Sequence, residues 1–238
     1  DEYISRYGDE VIRFCKKDVH DRMDDGDNFP KRNSVIYARN ATWDLAKQVG
    51  VKYFMQLDDD YREFQYRFLP DQSLKQVPCR STMNQMLESM LRFYEATPII
   101  TSLAMSQGGD WIGGDCGSNK MRRKAMNSFL CSVDRPFQFI GRMNDDVNTY
   151  VTLGHRGSVF FTVMALQLGQ EPTQAQAGGL TEMYLQYGTY VKSFYTVLYA
   201  PHCTKIGVIG NHKRVHHQIN WRRAVPLILP EKYKKKAI

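Results

Sequence analysis

The 238-residue chain has no run of about 18 apolar residues. It also lacks a basic start leading into an apolar stretch with a small-residue cleavage site, so neither a membrane span nor a secretory signal is expected. It has no CxxC pair. Its five cysteines, Cys15, Cys79, Cys116, Cys131 and Cys203, are odd in number and far apart, which argues against a disulfide scaffold and a zinc ribbon and fits a reducing cytoplasm. No internal repeat and no linker rich in Pro, Gly or Ser divides the chain. An apolar fraction of 42% over this length suits a single domain, residues 1–238, with a sizeable core.

Acidic residues are almost absent from one end. Residues 1–60 carry 10 Lys/Arg against 13 Asp/Glu, residues 61–200 carry 13 against 11, and residues 201–238 carry 9 against 1. The net charge of +7 is therefore a property of the C-terminal segment 201–238. A terminal basic block suits either a polyanionic partner or a solvated tail, and charge alone does not choose between them.

Helix and strand signals alternate along the chain. After an amphipathic start (Tyr3 to Phe14), a polar stretch from Lys16 to Arg32 containing Asp24-Asp25-Gly26-Asp27 reads as an exposed loop. Ala38, Ala41, Thr42, Leu45, Ala46 and Val49 recur at helical spacing, and Gly50 stands where a helix C′ residue is expected. Val51–Leu57 then reads as a strand ending in Asp58-Asp59-Asp60. Met83, Met86, Leu87, Met90, Leu91 and Tyr94 mark a second helix behind a Thr82-x-x-Gln85 capping box, stopped at Pro98.

Strands are expected at 99–105, 127–133, 137–140, 159–165 and 206–209, with a helix opening at Gly141–Asp146 and a helical stretch over 180–199 interrupted by Gly188. The aromatics Tyr184, Tyr187, Tyr190, Phe194, Tyr195 and Tyr199 read first as core, with base stacking open to some of them. Five glycines within Ser106–Ser118 suggest a ligand-covering loop, followed by basic Lys120, Arg122, Arg123 and Lys124. The alternation favours an α/β fold with a mainly parallel central sheet flanked by helices, with ligands at the carboxyl ends of the strands.

Three adjacent carboxylates at a strand end repel one another unless a cation neutralises them. Oxygen-only ligands select a hard ion, Mg²⁺ or Mn²⁺, that bridges to a substrate diphosphate; the alternative is a polar strand terminus exposed to water. Asp145-Asp146 could cap a helix, or one of them could act as a general base toward an acceptor hydroxyl. His212, His216 and His217 lie among Lys213, Arg214, Arg222 and Arg223. In isolation that segment reads as a basic surface strand, and with the carboxylates one imidazole could complete a metal site. Arg39-Asn40 could contact a nucleotide or cap the first helix.

Taken together, these motifs resemble a known family. Ala38-Arg39-Asn40, the helix, Gly50-Val51-Lys52-Tyr53 and Gln56-Leu57-Asp58-Asp59-Asp60 are similar to the nucleotide-sugar half of a GT-A glycosyltransferase, with Asp58-Asp59-Asp60 as its DxD motif. Gly141–Tyr150 is similar to that fold's acidic acceptor-side motif. Gly178-Gly179-Leu180-Thr181 and Gly188–Phe194 resemble the TET/JBP-associated group, which includes the base J glucosyltransferase and phage enzymes that glycosylate 5-hydroxymethylpyrimidines in DNA. The resemblance covers roughly Ser34 to Pro226.

The resemblance implies a GT-A-like single domain transferring a sugar, glucose first among candidates, from a UDP-sugar to 5-hydroxymethylcytosine or 5-hydroxymethyluracil in double-stranded DNA. It implies Mn²⁺ or Mg²⁺ on Asp58 and Asp60 with His216 or His217, and a base at Asp145 or Asp146, with inversion preferred. Donor contacts fall on Arg39, Asn40, Asp58, Asp59 and Lys192, and DNA contacts on Lys213, Arg214, Arg222 and Arg223. A GT-A domain normally opens with a uridine-holding strand, and none precedes Asp1 here, so the domain is expected to lack it. A phage-encoded enzyme would work in the host cytoplasm. The rival readings are a GT-A transferase acting on a saccharide or protein, a metal-dependent nuclease, and a DNA-binding module without activity.

Overall fold

A computed structural model describes residues 2–71, 73–107, 128–170, 180–188, 190–210, 213–224 and 233–234. The glycine-rich stretch beyond Gln107, the basic run Lys120–Lys124, Cys116, Gly178, Gly179, Thr189 and His212 lie outside the described residues. The four cysteines inside them, Cys15, Cys79, Cys131 and Cys203, are free thiols.

The first half of the chain holds α1 (Glu2–Tyr7), α2 (Lys16–His20), α3 (Ile36–Gln48), β1 (Tyr53–Gln56), β2 (Tyr61–Phe68), β3 (Leu74–Pro78), α4 (Met83–Ala96) and β4 (Ile100–Gln107). The second half holds β5 (Phe129–Ser132), α5 (Asp145–His155), β6 (Val159–Gln170), α6 (Thr181–Tyr187), α7 (Val191–Tyr199), β7 (Thr204–Ile209), β8 (Arg214–Ile219) and α8 (Trp221–Ala224). Gly50, at φ +73, ends α3 as expected: its N–H donates to the Lys47 carbonyl while Val51 N–H reaches back to Ala46, the paired bonds of a Schellman stop.

The α/β class holds, but the sheet is not mainly parallel. Its six strands run in the order β1-β5-β4-β6-β2-β3, and only β4 and β6 are parallel. Two features reverse the expected direction. Residues 61–78 form an antiparallel hairpin, β2–β3, and β5 inserts between β1 and β4 antiparallel to both. Helical crossovers do occur, but they do not join neighbouring strands, so the alternation of helix and strand does not make a parallel ladder.

The two faces of the sheet carry separate cores. Met86, Met90 and Tyr94 of α4 cover Leu103, Met105, Leu130 and Leu168. On the other face Ile36, Tyr37, Ala41 and Trp43 of α3 meet Phe129, Cys131 and Phe139. The alternation of Phe129, Leu130 and Cys131 between these cores is the period of a strand buried on both sides. Residues 137–140, expected as a strand, form none; Phe137 and Phe139 instead pack edge-on against Trp43 and Phe129.

Two further expectations are corrected. Thr82 precedes α4 but makes no cap bond: its hydroxyl donates to the Cys79 carbonyl at 2.6 Å. Tyr190, just before α7, and Phe194 on it face solvent, while Tyr195 fills the core with Met143 and Met183, and Tyr184, Tyr187 and Tyr199 pack against that cluster.

About half of the polar stretch 16–32 is exposed as expected, but Lys16–His20 is helical and Asp25 and Asp27 are drawn into an ion-pair knot. Asp25 is buried, and its Oδ2 accepts from His20, from Tyr37 at 2.8 Å and from Arg142 at 2.8 Å. Arg142 is itself fully buried; it pairs with Asp27 and donates to the carbonyls of Phe29 and Lys31. Every guanidinium nitrogen is thus used, which is what allows an arginine to sit in a core. This knot fastens the stretch to the entry of α5, where Gly141 and Arg142 N–H groups donate to the Asp24 and Asp25 carbonyls.

Candidate active site

The site forms where the carboxyl end of β1 meets the amino end of α5. Gln56, last in β1, donates from its amide to the Arg39 carbonyl and to Thr42 Oγ1, fixing the strand end against α3. Asn144 sits in the left-handed region at φ +54 and turns the chain into α5, whose first bond runs from Asn148 N–H to the Asn144 carbonyl. The Asn148 side chain donates to the Met143 carbonyl at 2.9 Å. Both acidic motifs are therefore set by backbone contacts before their charges are considered.

Arg39 joins the two motifs. One terminal nitrogen donates to Asp145 Oδ2 at 2.6 Å and the other to Asp58 Oδ1 at 2.6 Å. Its side chain is 6% exposed and lies 5.6 Å from the Phe129 ring and 5.4 Å from the Phe139 ring, so aromatic faces add to the carboxylates in holding the cation. Burial pulls the Arg39 pKa down, but Asp145, Asp58 and the nearby Asp146 together outweigh that, hold the guanidinium charged and push its pKa up.

Asp145 is pushed up to about 6: burial outweighs the pull of Arg39, and the nearby charges of Asp146 and Asp58 add to it. Asp58 is also raised, by burial first, with Arg39 opposing. The pair Asp145-Asp146, open to either role in sequence, is divided by the geometry. Asp145 is buried in the Arg39 bridge and Asp146 is half-buried beside it.

Asp59 is exposed. Asp60 accepts from Gln170 at 2.7 Å through one oxygen, while its other oxygen is buried without a hydrogen-bond partner among the described residues. The neighbouring Tyr61, at the start of β2, has a buried hydroxyl in the same condition; burial raises its pKa, as do Asp58, Asp60 and Asp146. Tyr184 is a second aromatic of the site. Its hydroxyl is pushed up to about 12 by burial and then by Asp145 and Asp146, and Lys192 Nζ lies 5.7 Å from its ring. Tyr61 carries no sequence signal of its own, whereas Tyr184 is one of the aromatics read first as core with base stacking open to some.

The remaining expected residues are placed as follows. Asn40 is committed to the backbone: it donates to the Phe139 carbonyl and accepts from Phe139 N–H, as a neighbouring strand would. His217 lies at the entry of α5, its Nδ1 3.2 Å from the Asn144 amide, with His216 stacked on it at 4.2 Å. Among the described residues no three His, Cys, Asp or Glu side chains gather closely enough to hold a metal. Asp58, Asp60, His216 and His217 are thus not a preformed ligand set. Lys213, Arg214, Arg222 and Arg223 are exposed at the ends of β8 and on α8.

The donor set still suits a hard cation. Asp60, with one buried oxygen that has no hydrogen-bond partner among the described residues, lies close enough to Asp58 for their charges to interact. Mg²⁺ is ordinarily held by one or two carboxylates, with waters and substrate phosphates completing its shell. Among the described residues no helix is long and apolar enough to cross a membrane.

The family model described as TET-Associated Glycosyltransferase matches residues 1–179. The matched span includes Arg39, Asp58–Asp60 and Asp145-Asp146. No curated protein and no solved structure matches the chain.

Proposed function

The chain belongs to the TET-associated glycosyltransferase family, and from that premise we propose that it transfers a sugar, glucose first, from a UDP-sugar to the hydroxymethyl group of 5-hydroxymethylcytosine or 5-hydroxymethyluracil in DNA. The observation that carries the reading is the Arg39 bridge, which brings the strand-end carboxylates and the α5 carboxylates into one site. A transferase needs both: one set for the donor diphosphate, the other for the acceptor.

Asp58 and Asp60 would hold Mn²⁺ or Mg²⁺, which when bound supplies positive charge to the departing diphosphate. Asp146 is the base. It is the member of its pair outside the Arg39 bridge, and it takes the proton from the acceptor hydroxymethyl as the oxygen attacks the sugar C1. Asp145 and Arg39 position the site: the guanidinium sets the distance between the motifs and keeps their like charges from driving them apart. Lys192, beside the Tyr184 ring, and the Tyr61 hydroxyl would meet the polar groups of the donor. The basic residues Lys213, Arg214, Arg222 and Arg223 suit the phosphates of the acceptor strand, whose target base must leave the stack to reach Asp146.

The nuclease alternative suits the geometry less well. Arg39 takes one oxygen from each motif, so a guanidinium joins the carboxylates where phosphodiester cleavage would use a pair of metals. The test is UDP release from a panel of UDP-sugars with hydroxymethylated duplex, unmodified duplex and free saccharides as acceptors. The proposal expects release only with hydroxymethylated DNA. Release with saccharides alone would move the acceptor to the rival class.

A further inference from the structure

Helix α5 has chemistry at both ends. Its first residues are the site carboxylates; its last, His155, packs against His202 with ring centroids 4.1 Å apart. Beside them opens a cleft of about 440 Å³ lined by His202, Cys203, Lys205, Gln218, Asn220 and Arg223 among others.

The cleft is firmly built. Cys203 is buried in its floor, and its carbonyl accepts from Asn220 N–H at 2.7 Å, closing the β7–β8 hairpin. The Arg223 guanidinium reaches the His202 carbonyl. Helix α8 is pressed on α5 so closely that a Cβ at Gly154 would come 2.7 Å from the Ala224 carbonyl, which requires glycine there.

The charge around it is of one sign. Lys205 from β7, His202 from the turn before β7 and Arg223 from α8 line it and are exposed; His155, the last residue of α5, is exposed against His202, and Arg156 and Arg222 are exposed next to His155 and Arg223 in the chain. Among the described residues none of them pairs with a carboxylate. Two imidazoles in contact at a tilt of 43°, beside guanidinium and ammonium groups that meet no carboxylate among the described residues, repel one another once protonated, and an anion between them relieves that repulsion. His202 carries this sign: burial, His155 and Arg223 all lower its pKa.

We propose that this cleft is a phosphate site that grips the backbone of the acceptor nucleic acid, with Lys205 and Arg223 as its fixed cations and His155 and His202 as its titratable ones. The inference rests on the nucleic-acid acceptor proposed above and adds a position to it. At a rise of 1.5 Å per residue, α5 separates the cleft from Asp145 by roughly 15 Å. That separation corresponds to about four base pairs along a strand, so the gripped phosphate lies a few nucleotides from the base being modified.

The experiment uses the full chain and two probes. Inorganic phosphate is titrated while the histidine ring signals are followed by NMR, and an unmodified duplex oligonucleotide is titrated at several salt concentrations. Phosphate is expected to shift His155 and His202 first and to raise their apparent pKa values. In Lys205→Ala/Arg223→Ala, shown folded by circular dichroism, those shifts vanish, duplex affinity falls about tenfold, and the slope of log K against log salt falls by about one for the phosphate no longer neutralised.

Wild-type and variant proteins binding duplex with the same affinity and slope would overturn the cleft. So would phosphate that leaves both histidines unmoved. Phosphate shifts on His155 and His202 without any duplex binding at low salt would uphold the anion site and sink the nucleic-acid acceptor instead.

Discussion

Arg39 and Asp145 are held 2.6 Å apart in a site where both are almost fully buried, and Arg39 makes the same contact with Asp58. A buried ion pair of this kind repays only part of its desolvation, but losing one member is costly because it strands the other. Arg39→Ala is therefore expected to lower stability by about 3–5 kcal/mol in urea unfolding and to abolish transfer. Arg39→Lys keeps the charge but cannot fork to two carboxylates, so it is expected to recover stability only in part and activity hardly at all.

The pH dependence follows from the same pair. Asp145 has its folded pKa raised to about 6, against about 3.9 in an unfolded chain. The native state therefore binds the proton more tightly. The stability this contributes is fully present below pH 3.9 and is lost as pH rises through about 6, which amounts to about 3 kcal/mol. Asp58, also raised, acts in the same direction. Asp145→Asn is expected to remove most of the difference between wild-type stability at pH 4 and at pH 7; an unchanged difference would show that another group governs it.

The two α5 carboxylates are expected to separate in kinetics. Asp146→Asn should lower kcat about 10²- to 10⁴-fold with little change in donor KM, as expected for a lost base. Asp145→Asn should act mainly through stability. Equal losses in kcat from both, at equal stability, would remove the division of roles.

Asp60 tests the cation. Chelation should stop transfer and Mn²⁺ or Mg²⁺ restore it, while Asp60→Asn should raise the metal concentration needed for half-maximal rate. A wild-type rate indifferent to chelator would contradict a metal at these carboxylates.

The Arg142 knot is a separate support. Arg142→Met leaves Asp25 and Asp27 buried without their cation and is expected to cost about 3–5 kcal/mol. Tyr195→Phe, which removes one hydroxyl donor to Asp27, should cost about 1 kcal/mol. Both are read from urea midpoints.

What sequence could and could not reveal follows from how each signal is encoded. Helices α3 and α4, the β1 strand and the acidic strand end are local patterns of period and punctuation, and they were legible. The β2–β3 hairpin was not. Its strand buries Arg67 against Ser106 and exposes Phe68, which inverts the polar-out pattern. Nor was the burial of Asp25 legible, because its charge is met by Arg142, more than 100 residues away in sequence. In the site, the two acidic motifs were visible as motifs, but a bridge through Arg39 depends on tertiary approach. Tyr61 left only a weak trace, as the residue directly after three aspartates.

The most direct test of the central claim, that Arg39 unites a donor and an acceptor half into one DNA-modifying site, is mass spectrometry of nucleosides from 5-hydroxymethylcytosine and 5-hydroxymethyluracil duplexes incubated with the protein, UDP-sugars and Mn²⁺. The account predicts a hexosylated nucleoside from wild-type protein and none from Asp146→Asn or Arg39→Lys. Unmodified nucleosides from every duplex and donor, or a hexosylated product that persists in both variants, would contradict it.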